Sequence, residues 1–415
     1  MFPIFDITPI LFQTLAMVFL EPQILQLFLV VLAIVALQYY RMGKAKERMF
    51  GLKPRSPWRD VLIATGFGLV GGIMASYIMV FVGLTLSGSG LIYLWPLAIL
   101  LMLIDARFLC FAYAGGILAL SSLIFGWPKI SVPQILGLVA ILHFIEAFLI
   151  WVSGHLGAMP VFIKNAQGKV VGGFALQKFW PIPLTVMVVI GQTSIPAGGI
   201  SMPDWWPLIK GDLGDNVDNM IYSLMPVVAG LGYGDLAAAR SPKQKGKISA
   251  VLLALYSVIL LLLAVLADRQ PFIGIIAALF SPLGHELLIY LGRRMEAGKS
   301  IYSTTSEGVK ILDVVPGYPA WQAGIRSGDV ILEVNGMAVG SRQGLEFALG
   351  VYNKVQITYY SQAAKQVYRE GIDYGAKEML GLLPVPEGNE EVFMELSTNG
   401  PLRRWLNNRF TRDRK

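Results

Sequence analysis

The sequence predicts a polytopic α-helical membrane domain of about nine spans, followed by a small α/β domain. The membrane domain is predicted by composition, because 55% of the 415 residues are hydrophobic and only 15% are charged, against roughly 25% charged residues in average soluble domains. Its apolar runs also alternate with short basic loops. The α/β domain is predicted by residues 309–336, where β-branched runs alternate with turn-forming residues.

Composition changes along the chain divide it into four segments. They are residues 1–22, 23–296, 297–386 and 387–415. The first is apolar but interrupted by Asp6 and Pro9, which predicts an interfacial or partly inserted helix. The second carries the spans and the third is the α/β domain. The last places Trp405 and Phe410 among arginines, which predicts a basic amphipathic tail on an anionic membrane surface or a solvated terminus.

The predicted spans are the apolar runs, since a helix needs about 20 apolar residues to cross a bilayer. They are Ile24–Tyr40, Val61–Leu86, Leu91–Ile104, Phe108–Phe125, Val132–Val152, Pro181–Ile200, Ile221–Ala239, Ile248–Ala267 and Pro271–Leu291. The loop Arg41–Arg59 is rich in Lys and Arg, so the positive-inside rule places it in the cytoplasm. Alternation from there puts the α/β domain and the C-terminus in the cytoplasm, with the spans in the plasma membrane.

The charge pattern and the cysteine count exclude other classes of protein. The net charge is +7, and the basic residues flank apolar runs, so we expect no nucleic acid among the partners. Cys110 is the only cysteine, which rules out a disulfide framework. The first basic residue is Arg41, so no cleavable signal peptide is expected.

Two apolar runs carry ionisable residues, which at membrane depth are candidates for function. His143 and Glu146 share one helix face at i, i+3, and His285 lies in the last run. Together they offer two imidazoles and a carboxylate, as in a His₂Glu metal site. We favour a structural role in which these groups pair with one another, and we therefore expect no metal, no cofactor and no enzymatic activity.

Local sequence signals predict the individual helices, strands and turns of the α/β domain. Val309 begins a β-branched strand, and Pro319 suits the first position of a short helix. Gly324 follows as a helix C-cap, and Asn335-Gly336 is the strongest short hairpin signal. The elements predicted after this hairpin are a helix at Arg342–Leu349 and strands at Val355–Tyr360 and Gln366–Arg369.

The stretch VKILDVVPGYPAWQAGIRSGDVILEVNG (309–336) resembles a PDZ domain of the bacterial, circularly permuted type. The resemblance implies that the domain takes an extended peptide as an added strand. In the permuted order the groove strand precedes Val309, which places it at Lys299–Thr305, with a carboxylate-binding loop at Gly298–Ile301. The helix Arg342–Leu349 is the opposite wall. The peptide-binding residues so implied are Gly298, Lys299, Ser300, Ile301, Tyr302, Leu345, Ala348 and Leu349.

The order of parts also resembles the Gram-positive MinJ-type cell-division topology family. The resemblance rests on Phe19–Pro22 before a span, the basic exit Arg41–Arg48, several spans and an inward PDZ domain. It implies a non-enzymatic adaptor, enriched at the septum and poles, that links a DivIVA-type coiled-coil protein to the Min-type division-inhibitor machinery. The implied partners are cytoplasmic and membrane proteins together with the lipid bilayer, and a homo-oligomer is left open.

Two other functions stay open at this stage. An intramembrane protease, or a protease cofactor with a PDZ domain, would explain a histidine and a glutamate in a span. A protease of this kind requires H-E-x-x-H, whereas His285-Glu286 is followed by Leu287, Leu288 and Ile289. The other is a transporter regulated by its PDZ domain, but the chain shows no internal repeat of the kind that builds transporters.

Overall fold

The computed structural model describes most of the chain, in a helical region followed by a β-rich C-terminal module. The described residues are 2–51, 56–165, 168–191, 199–211, 220–350, 354–373, 379–388 and 390. The predicted basic tail at 387–415 lies outside them, except for residues 387, 388 and 390.

The helical region contains eight α-helices within the described ranges. They are α1 (Ile4–Leu20), α2 (Pro22–Phe50), α3 (Trp58–Val82), α4 (Leu91–Met102), α5 (Phe111–Phe125), α6 (Val132–Ser153), α7 (Pro242–Arg269) and α8 (Pro271–Glu296). Five of them, α2, α3, α6, α7 and α8, are long and apolar enough to cross a membrane, and α1, α4 and α5 are shorter apolar helices. The predicted span count is therefore too high.

Two of the predicted spans, Pro181–Ile200 and Ile221–Ala239, are wrong because residues 181–191 and 221–237 lie in strands. The strands are β1 (Met159–Lys164), β2 (Val170–Gly191) and β3 (Ile221–Ala237), which form an antiparallel sheet in the order β1-β2-β3. Apolar length alone does not separate a buried strand from a helix. Pro181 and Pro183 lie within β2, where proline is tolerated only if its missing N–H is not needed for pairing with another strand.

The predicted spans Leu91–Ile104 and Phe108–Phe125 are two short helices around a 3₁₀ turn at Ala106–Leu109. With 12 and 15 residues, α4 and α5 rise roughly 18 and 22 Å, less than the bilayer core of about 30 Å. Arg107 in the turn donates to Glu286 Oε1 in α8 at 2.5 Å. Since α8 ends at Glu296, the turn lies roughly 15 Å below that end of α8.

Helix α6 lies at the centre of the helical region, and its predicted span Val132–Val152 agrees with the structure. Ile135, Ile141 and Ile145 are fully buried in the large core shared with α3, α5, α7 and the three-stranded sheet. A helix that is apolar on every side lies in a protein core or in a membrane, and most of α6 is buried by the elements around it. α6 therefore fixes the arrangement of the elements around it.

Strand β2 runs along α3, and two glycines of α3 permit the close approach. A Cβ added at Gly68 would lie 2.0 Å from the carbonyl oxygen of Pro181, and one at Gly72 would lie 1.9 Å from that of Pro183. Small residues four positions apart line one face of a helix and let another backbone approach it. One edge of the sheet is therefore covered by a helix.

The C-terminal module is built on a single sheet. Its elements are β4 (Val309–Val314), α9 (Pro319–Gln322), β5 (Val330–Val334), β6 (Met337–Ala338), α10 (Arg342–Leu349), β7 (Lys354–Ser361), β8 (Gln366–Asp373) and β9 (Leu382–Pro384). The strand order is β8-β7-β5-β4-β9, with β6 paired to β5. Pro319 is the first residue of α9, and Asn335 and Gly336 turn the β5–β6 hairpin with φ of 52° and 79°. These predictions and the bounds of α10 are confirmed.

Candidate functional site

The candidate site is the edge of the module's sheet beside α10. Strand β9 pairs antiparallel with β4, with Leu382 opposite Val314 and Leu383 opposite Asp313. Among the described strands, β9 is the last of the sheet on this side. It therefore holds the position that the sequence resemblance gave to Lys299–Thr305.

Residues Lys299–Thr305 do not form the predicted groove strand. They follow α8 directly and adopt bends that bind the three-stranded sheet. Ser300 Oγ donates to the carbonyl of Gly172 at 3.1 Å, and the N–H of Ile301 donates to that of Ala238 at 3.0 Å. Tyr302 is 4% exposed and packs edge-on against Phe174. Gly298 and Lys299 are exposed before this contact, so the first part of the segment joins the helical region to the C-terminal module. Thr304 and Thr305, at its end, line a small cleft with Ser341 and Glu387.

An apolar-Gly-apolar loop precedes β9 at Leu380-Gly381-Leu382. Gly381 has a φ of +78°, and a Cβ there would lie 2.5 Å from the Cβ of Tyr318, so only glycine fits. Loops of this pattern present backbone N–H groups to a terminal carboxylate. The sequence-based prediction missed it because the loop was sought before Val309, although the triplet itself was a usable signal.

The helix that was predicted as the wall of the groove is present as α10, and its residues differ in exposure. Leu345 and Ala348 are each 2% exposed and belong to the module's own core. Leu349 and Leu382 are half-buried and pack against that core. These two leucines are therefore the apolar groups that a bound side chain would contact.

The other end of the groove lies at the start of α10. Ser341 caps this helix by accepting a hydrogen bond from the N–H of Gly344 at 3.0 Å. The carboxylate of Glu387, just past β9, accepts one from the N–H of Arg342 at 2.6 Å. The segment just past β9 and the first residues of α10 therefore meet at this end of the groove.

The module is held against the helical region on its β4 side. Lys46 of α2 pairs with Asp313 of β4 at 3.9 Å, and Phe50 packs with Leu383 and Val315. Burial raises the pKa of Asp313 to about 6, and the positive charge of Lys46 opposes this shift. The contact therefore fixes the module beside the basic end of α2.

The structure also brings together two of the three residues considered for a metal. His143 and His285 meet at Cys110, whose Sγ lies 3.0 and 3.5 Å from their Nε2 atoms. Glu146 does not belong to this group. Cys110 was predicted only as an apolar residue, and nothing in its local sequence marks it.

Comparison with known proteins identifies the domain in the C-terminal part of the chain. The PDZ domain family model matches residues 310–349, from β4 through α10. The C-terminal module is a PDZ domain. Among solved structures, the PDZ domain of an SdrC-like protein from Listeria monocytogenes is 22% identical, covering 20% of this chain and 92% of that chain with a TM-score of 0.17.

The match to a curated protein extends beyond the PDZ domain. The chain is 23% identical over 275 residues to the cell division topological determinant MinJ of Bacillus subtilis (strain 168). This match covers 64% of the chain and 63% of MinJ, so less than two thirds of that relative's length is matched. The chain is thus a PDZ-containing protein with several apolar helices that resembles the MinJ type.

Proposed function

We propose that this chain is a non-enzymatic, membrane-anchored adaptor whose PDZ domain recruits protein partners in the positioning of bacterial cell division. The observation that carries the proposal is the edge of β9 beside α10, which no other described strand covers and which Leu380-Gly381-Leu382 precedes. An extended peptide can pair with such an edge while its side chains enter the cleft next to the helix. The similarity to MinJ supports the link with division.

The anchor is the set of long apolar helices, and the charge pattern supports a cytoplasmic PDZ domain. The β2–β3 hairpin replaces two predicted spans. A hairpin ends on the side of the membrane where it begins, as two spans do, so the predicted orientation of the later helices is unchanged. The same holds for the pair α4 and α5. The PDZ domain contacts Lys46 and Phe50, next to the basic cluster after the first long helix, and the positive-inside rule places that cluster inside.

The groove favours a partner segment with an apolar residue at or near its end, because Leu349 and Leu382 supply the exposed apolar surface. A DivIVA-type or Min-type division protein fits the role suggested by the MinJ likeness. Such binding would concentrate the chain at the septum and poles, with α2, α3, α6, α7 and α8 holding it in the plasma membrane.

The test compares two charge substitutions on α10. Leu349→Glu places a carboxylate in the cleft, where an unpaired charge costs several kcal/mol, whereas Phe347→Glu changes a side chain that is 80% exposed. We expect Leu349→Glu to reduce capture of a purified DivIVA-type partner by the full-length protein at least tenfold and to disperse septal foci of a fluorescent fusion. Phe347→Glu should change neither readout.

Membrane fractionation and size-exclusion profiles must first show that both variants are inserted and folded. If folded Leu349→Glu captures the partner as wild type does, the groove is not the binding surface. Loss of capture by Phe347→Glu alone would move the binding surface to the outer face of α10. An even distribution of the wild-type fusion around the cell would contradict the division role.

A further inference from the structure

Cys110, His143 and His285 form a compact cluster, which we name the Cys-His₂ cluster. Their ligand atoms all lie within 4.8 Å of one another, although the residues come from the turn before α5, from α6 and from α8. For a tetrahedral zinc ion the bond lengths to sulfur and nitrogen imply an S···N separation of about 3.5 Å. Cys110 Sγ lies 3.5 Å from His285 Nε2 and 3.0 Å from His143 Nε2, so a small outward movement of one imidazole would suffice.

The hydrogen bonds on the far side of each ring fix its tautomer. His143 Nδ1 lies 2.7 Å from the carbonyl of Val139, which only accepts, so Nδ1 carries the proton. His285 Nδ1 lies 3.4 Å from the hydroxyl of Tyr113, and that hydroxyl donates to Glu286 at 2.6 Å. The hydroxyl oxygen therefore accepts from His285 Nδ1. Both Nε2 lone pairs point at Cys110.

Hydrogen bonds within the cluster cannot satisfy both imidazole lone pairs, because the only donor between them is the thiol of Cys110. The single S–H proton of Cys110 can be donated to His143 or to His285, but not to both. A cation between the three atoms would satisfy both imidazoles and a thiolate at once. Nδ1 of a metal-binding histidine typically donates to a carbonyl or to a group oriented by a carboxylate, as both do here.

The position of Cys110 in the chain also suits a charged ligand. It is the N-cap of α5 and accepts a hydrogen bond from the N–H of Ala112 at 3.5 Å. The start of a helix carries partial positive charge, which suits a thiolate that is bound to a metal. The turn that carries Cys110 lies at the depth of Glu286 in α8, and irregular backbone at membrane depth is tolerated only within protein or a cavity.

We propose that the Cys-His₂ cluster is a binding site for a zinc ion within the helical region. A thiolate and two neutral imidazoles are ligands suited to Zn²⁺, and three protein ligands leave the fourth position open. Tyr113 acts as a positioning residue that holds His285 in the binding tautomer. The site is independent of peptide binding by the PDZ domain.

The test titrates metal-free, full-length protein in detergent micelles with Co²⁺, the spectroscopic substitute for Zn²⁺. We expect one Co²⁺ per chain, with a thiolate-to-cobalt charge-transfer band that Zn²⁺ abolishes. Cys110→Ser should remove the band, and His285→Gln should weaken binding at least tenfold. Tyr113→Phe keeps all three ligands and should weaken binding 10- to 100-fold. The matched control is His155→Gln, because His155 lies just after α6 and outside the cluster.

A second measurement needs no variant. Zn²⁺ should slow the alkylation of Cys110 by a maleimide in the wild-type protein, and Cys110 is the only thiol of the chain. The proposal is overturned if folded wild-type protein shows no charge-transfer band, if Zn²⁺ leaves the alkylation rate unchanged, or if His155→Gln reduces binding as much as His285→Gln does.

Discussion

The edges of the two sheets in this protein have opposite surroundings: those of the PDZ domain face solvent, and that of β2 faces helices. In the PDZ domain, β8 presents exposed side chains along nearly its whole length, and β9 ends the sheet beside the groove. In the helical region, β2 runs against α3 and is largely buried. Water can form hydrogen bonds with the unpaired backbone N–H and C=O groups at the edges of the PDZ sheet. At the edge of β2, among apolar helices, the protein itself must supply these hydrogen bonds.

The edge of β2 shows how this is done. Alternate residues of a strand point their backbone N–H groups to the same edge. On this edge the N–H of Phe179 donates to Tyr39 Oη at 3.4 Å, and Pro181 and Pro183 have no N–H. Further along, the N–H of Thr185 donates to Ser76 Oγ at 2.8 Å, Met187 forms an isolated bridge with Thr85, and the N–H of Val189 donates to Ser87 Oγ at 3.0 Å. An open edge is thus kept for a partner in one sheet and removed in the other.

The largest effect should come from forcing β2 away from α3. In Gly72→Val, the new Cβ would lie 1.9 Å from the carbonyl oxygen of Pro183, and overpacking against backbone costs about 3 kcal/mol or more. We expect Gly72→Val to lower the thermal midpoint sharply or to prevent recovery of folded protein from the membrane. Gly66→Val on the same helix is the control, because no atom lies within 4 Å of its added Cβ. Equal recovery of the two variants would contradict the close contact.

A smaller effect should follow from removing one acceptor along the sealed edge. Ser76→Ala leaves the buried N–H of Thr185 without its partner, which costs about 2 kcal/mol. The control is Ser257→Ala in α7, since Ser257 is equally buried but bonds only to Leu253 in its own helix. We expect thermal unfolding of Ser76→Ala at a clearly lower temperature than that of Ser257→Ala. Similar midpoints would show that Ser76 does not seal the edge.

The same contrast explains which parts of the fold could be predicted from sequence. In the PDZ domain, Pro319, Asn335-Gly336 and the helix Arg342–Leu349 are set by local backbone preferences, and each was predicted correctly. The groove strand was misplaced because its position depends on long-range pairing of β9 with β4. The triplet Leu380-Gly381-Leu382 marks a loop of the expected pattern, but local preference does not show that the strand after it pairs with β4.

In the helical region, long apolar runs correctly predicted helices such as α6 and α8. Apolar length failed for β2, because a long apolar run does not distinguish a buried strand from a helix. The Cys-His₂ cluster could not be predicted because Cys110 is separated from His143 by 33 positions and from His285 by 175. Only the tertiary packing of α5, α6 and α8 brings these side chains together.

The smallest effect concerns the contact that joins the two regions, where Asp313 faces Lys46. Burial raises the pKa of Asp313 from 3.8 to about 6 in the folded protein. A raised pKa means that its contribution to stability is fully present below the unfolded value and is lost as the pH rises through about 6, which amounts to about 1 kcal/mol between roughly pH 5 and pH 7.

Asp313→Asn should therefore unfold with less dependence on pH than the wild type over that range, in thermal unfolding of the full-length protein. The control is Asp373→Asn, because the Asp373 side chain is 67% exposed in β8 and should retain the pH dependence of the wild type. If Asp313→Asn and the wild type lose the same stability between the two pH values, the carboxyl of Asp313 is hydrated and β4 does not pack against α2 as described. If instead Asp313→Asn alone flattens the profile, the PDZ domain is held to the basic end of α2, and the open edge of β9 is presented from a fixed position instead of from a flexible tether.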